Sequence, residues 1–381
     1  MLLVHPFVSP GRPLQPAPRS RPAGRPRYPA AMAGTAPVVV VGAGAAGLAA
    51  AVHLRAAGVD AVVLEARDRI GGRLLSVPAG AGRRLDLGAT WFWDGEADVG
   101  ALAAGAGLEV FDQHRTGDLM FQPGPRVERV RGNPLDVPSR RIASGMQSLA
   151  EALQARLPDA AVRLGEPVRA IAAEADGLVV ETPRGAWRAP HVVLALPPAL
   201  AVHAIAFDPP LDPELAALAA ATPVWMGAFL KAVARYPEPF WRARGLAGAA
   251  FSHTGPLREV HDMSGPEGAP AALFGFAPLA PGAPTPGADA IRAQLGALFG
   301  AEAAEPLEFL LADWRAEPCT TPPGADRLGR YDTYGDPRYR APAMGGRLHW
   351  ASTETAQDAP GHVQGALSAG ARAAAAAIAG P

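Results

Sequence analysis

The sequence predicts an α/β fold built around a Rossmann-type dinucleotide-binding unit, and three observations between Val38 and Arg73 predict it. The first is the run Val38–Val41, short and apolar throughout, as a strand buried on both faces requires. The second is Gly42-Ala43-Gly44-Ala45-Ala46-Gly47, the GxGxxG spacing, set between that strand and an Ala/Leu-rich helical stretch reaching about Ala57. The third is another apolar strand, Ala61–Leu64, which ends on Glu65. Gly42 permits a tight turn, Gly44 lets backbone approach a pyrophosphate, and Gly47 lets the helix pack close to the strand. The helix N-terminus, at Ala45 and Ala46, offers unbonded N–H groups and a positive dipole end to phosphate. Glu65 stands 23 residues after Gly42, where a carboxylate can accept ribose hydroxyls.

The remaining elements follow from periodicity. Residues 85–93 read as an aromatic-rich loop or short strand, and 94–139 show little periodicity. Met146, Leu149, Leu153 and Leu157 recur at helical spacing. Short strands are expected at 161–164, 168–173 and 177–181, then a fully apolar one at 192–196 that runs into Pro197-Pro198. A helix is expected at 213–221, and period-two strands at about 224–236 and 270–276. Residues 277–287 form a Pro/Gly loop, followed by a helix at 288–299 and a strand at about 307–312. A last buried strand at 347–351 precedes an Ala-rich helix at 365–378. There is no internal repeat.

Composition bounds the function classes. With 381 residues, 49% of them hydrophobic, the chain can bury a large core, and two domains are expected. No apolar run has membrane-spanning length. A net charge of −1 gives no reason to expect a nucleic-acid partner. The single cysteine, Cys319, excludes an internal disulfide framework and the common cysteine-based metal sites, and the nine histidines are scattered, so no metal is expected. Residues 1–35 hold Pro and five arginines (Arg12, Arg19, Arg21, Arg25, Arg27) without an acid. They are expected to be a disordered tail, or sequence upstream of a start at Met32; a basic targeting arm is the other reading. The start is too short for a secretion signal, so a cytoplasmic location is expected. The oligomeric state is not legible.

Of the 35 basic residues, one is lysine: Lys231. Abundant Gly, Pro and Arg point to a coding bias against lysine. A lysine kept against it is notable, because Lys and Arg differ most where a compact ammonium or a tunable pKa is needed. Lys231 lies in the alternating stretch GAFLKAVARYPEPFW; an exposed strand lysine is the plain alternative.

The extension after Glu65, EARDRIGGR at 65–73, resembles the FAD-binding segment of the flavin-containing amine oxidase family: monoamine, polyamine and L-amino-acid oxidases and their desaturase relatives. Further similar segments follow in family order over about 36–380. They are DLGATWF (86–92), SGMQSLAEAL (144–153), VVLALPPAL (192–200), KAVARYPEPFW (231–241), SHTGPLREV (252–260), HWASTETA (349–356) and GHVQGALSAGARAA (361–374). The resemblance implies a Rossmann-type FAD-binding domain with a discontinuous mixed-sheet α+β substrate domain, of amine oxidase/glutathione reductase-like architecture. It assigns 36–93, 140–222 and 315–381 to the FAD-binding domain, and 94–139 and 223–314 to the substrate domain. It implies FAD contacts from Gly42, Gly44, Ala45, Ala46, Gly47, Glu65, Ala66, Arg67, Gly72 and Arg73. To these it adds Gly88, Ala89, Thr90, Trp91, Val168, Trp314, Thr353, Glu354, His362, Val363 and Ala366. Arg67 and Arg73 would bring positive charge near the pyrophosphate, Val168 would hold adenine through its backbone, and the helix beginning near His362 would aim its N-terminus at the isoalloxazine. Lys231 falls eight residues before Pro239 of PFW, where the family's lysine holds a water against flavin N5 and serves reoxidation by oxygen.

The implied reaction takes a small amine and oxygen. A hydride equivalent passes from the carbon next to nitrogen to the flavin, the imine is hydrolysed, and hydrogen peroxide forms. Desaturation of an apolar molecule and a non-catalytic flavoprotein are the two alternatives. Four departures from the family pattern bear on this. The section at 94–139 is short, which reduces the substrate domain. His362 stands where the family carries a tyrosine of its amine-flanking aromatic cage, and the second cage aromatic has no counterpart after Trp314; Trp350, Trp91 or Tyr334 could stand in. Cys319 lies five residues after Trp314, off the position of the flavin-linking cysteine, so noncovalent FAD is expected. Ser352 replaces a glycine. His362 is either a chemically active group or a residue that packs on the cofactor.

Overall fold

A computed structural model describes residues 4–6, 31–280, 282–325 and 331–380. These fall into two compact units, each taken by itself.

One unit comprises described residues of 31–73, 149–224 and 318–380. Its central sheet is parallel throughout, in the order Val162–Arg163, Ala61–Leu64, Val38–Val41, His191–Leu194, Leu348–Trp350. In chain order this is 3-2-1-4-5, the doubly wound arrangement. The order reverses between Val38–Val41 and His191–Leu194, and a ligand crevice is expected outside the carboxyl ends of these strands. All four valines of the first strand are at most 3% exposed, as a strand covered on both faces requires. One cover is a second five-stranded sheet, in which Ala170–Glu174, Gly177–Thr182 and Gly185–Ala189 form an antiparallel meander. Its Ile171, Leu178 and Val180 join Val39, Val41, Val192 and Leu194 in one core. The helix Ala45–Ala56 packs against the closing helix Val363–Ala379. The approach is so close that a Cβ on Gly370 would lie 2.2 Å from the Ala46 carbonyl oxygen.

Met32–Thr35 adds a parallel edge strand to the meander, bonded to Gly185–Ala189. The expected disordered tail of 1–35 therefore stops short of Met32, because these four residues find ladder partners. The strand Val4–Pro6 is likewise paired, parallel to Glu308–Asp313. The rest of that stretch lies outside the described residues.

The other unit comprises Leu74–Ser148 and Trp225–Glu317 with Val4–Pro6. The units divide at Arg73/Leu74 and Ser148/Leu149, so the 74–93 and 140–148 segments go with 225–317 rather than with the dinucleotide segments. Its eight-stranded mixed sheet runs Val4–Pro6, Glu308–Asp313, Phe229–Tyr236, Ala271–Pro278, Glu259–Asp262, Leu246–Ser252, Asp118–Gln122, Glu128–Val130. Period two sorts its side chains. Leu230, Ala232, Ala234 and Tyr236 enter one core with Ile291, Leu295 and Leu298 of the helix Ala288–Phe299. Val233, Phe274, Leu310 and Ala312 face the other way, onto Leu75, Leu85, Leu87 and Trp314. Lys231 shares the parity of Val233 and so belongs to this second face. The aperiodic section holds a helix, Ala97–Gly105, and the strands Val110–Asp112, Asp118–Gln122 and Glu128–Val130. Among the described residues no helix is long and apolar enough to cross a membrane.

Candidate functional site

In the doubly wound unit the glycine turn is fixed by contacts no other residue tolerates. Gly42 has φ +103°, and a Cβ on Gly47 would sit 1.9 Å from the Gly42 carbonyl oxygen. Gly44 is different: a Cβ there meets nothing closer than 3.9 Å, so the turn leaves space at this position. The helix then starts at Ala45 with no side-chain cap and no acid in its first turn. Glu65, 4% exposed, ties this turn to the next loop: one carboxylate oxygen accepts the Ala43 N–H at 2.8 Å, the other the Arg67 N–H at 2.9 Å. Ala66 and Arg67 lie against the segment carrying Val168, because the N–H groups of Gly165 and Glu166 donate to the carbonyls of Arg67 and Glu65. The Arg67 guanidinium donates to Thr320 Oγ1 at 2.7 Å. The Gly71 N–H donates to the Ala43 carbonyl, which places Gly72 (φ +58°) and Arg73 beside the turn.

Arg73 forms a two-pronged ion pair with Glu354, at 2.5 and 3.1 Å. Glu354 is fully buried. Burial alone would lower the Arg73 pKa, but the Glu354 carboxylate outweighs it, and the guanidinium is held above its ordinary value. Thr353 Oγ1 donates to the His362 carbonyl at 2.7 Å, which fixes the start of the closing helix. That helix, like the first, opens without a side-chain cap and without an acid in its first turn, with His362 exposed and Val363 and Ala366 half-buried. Ser352 Oγ is buried without a hydrogen-bond partner. Two uncapped helix N-termini, a turn that spares room at Gly44, a ribose-type carboxylate and an orphaned hydroxyl fit a dinucleotide such as FAD. Of the aromatics that could complete a cage, Trp350 is excluded: it is fully buried against Tyr339, with rings 5.5 Å apart. The Tyr334 ring lies 3.5 Å from where a Cβ on Gly361 would be, next to His362. Cys319 is half-buried beside Thr320.

The other unit carries Gly88, Ala89, Thr90, Trp91, Trp314 and Lys231. Lys231 is 2% exposed. Its Nζ donates to the Gly88 carbonyl at 2.8 Å and to Thr90 Oγ1, and lies 4.5 Å from the centre of the Phe274 ring and 5.7 Å from that of Phe276. Trp91 meets Phe274 at 5.2 Å and His261 at 5.1 Å. Trp314 Nε1 donates to the Leu87 carbonyl at 2.9 Å, bracing the same segment from the end of Glu308–Asp313. Burial pushes the Lys231 pKa down to about 7, with Arg141 adding to the fall and Asp86 opposing it. An exposed strand lysine is therefore excluded.

Two buried charges near Lys231 were not singled out from the sequence. Asp86, fully buried, accepts from Ser76 Oγ at 2.6 Å and the Met146 N–H at 2.9 Å, and burial raises its pKa. Arg141, 2% exposed, donates to the Ser264 carbonyl at 2.9 Å. The leucines around Asp86, in LDLG, were the only signal: an acid inside an apolar run. Arg141 follows another arginine in a Pro/Ser-rich stretch and gave none.

The sequence matches the family model described as flavin containing amine oxidoreductase over residues 45–141 and 136–378. It is 32% identical to a putative flavin-containing monoamine oxidase of Mycobacterium tuberculosis, across 90% of this chain and 96% of that protein. It is 29% identical to the putrescine oxidase of Kocuria rosea, across 89% and 94%. The first alignment runs to 445 positions, more than the 381 residues here, so that relative carries segments this chain lacks. Among solved structures, putrescine oxidase bound to putrescine superposes with a TM-score of 0.78 at 24% identity, covering 91% of this chain and 99% of that one. Cyclohexylamine oxidase from Brevibacterium oxydans gives 0.78 at 22%, covering 90% and 99%. At these identities the structural likeness shows the fold.

Proposed function

The chain belongs to the flavin-containing amine oxidoreductase family and is an FAD-dependent oxidoreductase, and from that premise we propose that it oxidises a primary or secondary amine with oxygen as electron acceptor. FAD, held by Gly42, Gly44, Gly47 and Glu65, would supply the two-electron redox chemistry that turns the amine into an imine, which water would hydrolyse, with oxygen as the final acceptor and hydrogen peroxide as its product. The protein's share is to hold the cofactor, present the amine neutral, and limit water.

The observation that carries this reading is the environment of Lys231. The chain's one lysine is buried among aromatic rings, oriented by Gly88 and Thr90, and held near neutrality. In this reading Lys231 orients water for the oxygen half-reaction, a task to which an arginine fork is poorly shaped. Gly42, Gly44, Gly47 and Glu65 hold the adenosine and pyrophosphate end, without a covalent bond through Cys319. His362 opens the closing helix and steers the amine.

The test is stopped-flow reoxidation of the reduced enzyme. Lys231→Met is expected to keep FAD and to slow oxidation by air at least about tenfold, a change of about 1.4 kcal/mol in the barrier. Equal oxygen reactivity in variant and parent would remove Lys231 from the reaction. Absence of peroxide with every amine tried, FAD being bound, would remove the oxidase reading itself.

A further inference from the structure

The loop that seats Lys231 is clamped at both ends by segments carrying a buried charge. Nζ donates to the Gly88 carbonyl and to Thr90 Oγ1, so residues 86–92 set where the ammonium sits. At one end, two residues before Gly88, Asp86 Oδ1 accepts from Ser76 Oγ at 2.6 Å and from the Met146 N–H at 2.9 Å. At the other end Phe92 and Arg140 exchange two backbone hydrogen bonds, which brings the next residue, Arg141, to the same loop. Arg141 is held there by the Ser264 carbonyl at 2.9 Å, with its guanidinium 5.2 Å from the centre of the Phe111 ring.

Both charges keep an atom unspent. Asp86 Oδ2 and Arg141 Nε are buried and make no hydrogen bond among the described residues. A buried carboxylate oxygen without a donor is costly unless a cation acts on it, and the cations that act on Asp86 are Lys231 and Arg141. The charges that act on Lys231 are in turn Asp86, which favours the ammonium, and Arg141, which disfavours it. Arg141 faces Asp86, Asp262 and Arg242. Leu85, Leu87 and Phe274 surround the cluster with apolar surface, so little water screens these attractions.

We propose that Asp86 and Arg141 are positioning residues for the oxygen half-reaction: acting with opposite sign, they decide whether Lys231 stands in its seat as an ammonium or as a neutral amine. Reduction of oxygen builds negative charge, which an ammonium stabilises and an amine does not. This rests on the oxygen role given to Lys231 above.

The test uses the fact that the chain has one lysine, so [13Cε]lysine labels Lys231 alone in the full-length holoenzyme. Its resonance, followed with pH, is expected to titrate near 7 in the parent. Asp86→Asn keeps an oxygen for the Ser76 and Met146 donors and removes the charge; it should lower the midpoint by about one to three pH units. Arg141→Gln should raise it, which decides the matter should the first variant not fold. Reoxidation of dithionite-reduced enzyme by air should follow the same midpoints, and at pH 7 a one-unit fall in Asp86→Asn slows it about fivefold. An unmoved midpoint, shifts of the same sign in both variants, or shifted midpoints with an unmoved oxygen profile would overturn the proposal. No amine enters either measurement, so a failure of amines to bleach the flavin would overturn the amine-oxidising reading separately.

Discussion

Replacing Lys231 by Met is expected to change the pH dependence of stability in a direction the burial of Lys231 dictates. Met matches the length of the lysine stem and fills the same space. It leaves the Gly88 carbonyl and Thr90 hydroxyl without their donor, a pH-independent loss of about 1–3 kcal/mol. The pH-dependent part has the opposite character. Burial sets the folded-state pKa at about 7, below the ordinary 10.5 of the unfolded chain. Between those values the unfolded chain binds a proton that the folded chain does not. Stability therefore rises with pH across this window, by about 1.4 kcal/mol per pH unit at most. Below it both states are charged and the full cost of burying the ammonium is present. From about pH 7.5 to 9 the parent should gain on the order of 2 kcal/mol that the variant does not. Urea unfolding of both FAD-loaded proteins at fixed pH values measures this. Parallel stability curves across the window would refute the claim that the folded protein resists charging Lys231.

Gly47→Ala should yield protein that purifies without its yellow colour, because the added Cβ would meet the Gly42 carbonyl at 1.9 Å; a normal FAD-to-protein ratio would contradict the close approach. Arg73→Gln leaves the fully buried Glu354 without its ion partner and should cost about 3–5 kcal/mol in urea unfolding. A loss below about 1 kcal/mol would mean that the pair behaves as a surface bridge. His362→Ala should keep FAD, since the His362 backbone carbonyl rather than its ring takes the Thr353 hydroxyl, and should lower kcat/KM for amines. Parallel losses of FAD and activity would assign the ring to cofactor packing.

The parts of this molecule that were legible in the sequence are those that local physics determines. Four valines, a glycine turn and an acid at the end of the next strand are consecutive, and they folded as the first two strands of the parallel sheet with Glu65 tied back to Ala43. The helix at 288–299 and the closing helix were likewise written in local periodicity. The strands Leu246–Ser252 and Glu259–Asp262 were missed, since small residues and a Gly-Pro loop hide their alternation. The helix Pro198–Ala204 was missed because its opening proline reads as a stop, although proline is well tolerated in a first turn. At the site, Lys231 stood out by its rarity, which needs no structure. Its surroundings did not: Asp86 meets Met146 across 60 positions, and Arg141 meets Ser264 across 123. No pattern in the chain announces such pairs.

The central claim is that this protein oxidises an amine through bound FAD. The most direct measurement is anaerobic mixing of the purified yellow protein with a panel of amines and amino acids while the visible flavin band is followed. Bleaching by amines, with the colour restored on admitting air, is the expected result. A flavin that dithionite reduces but no amine bleaches would contradict the claim.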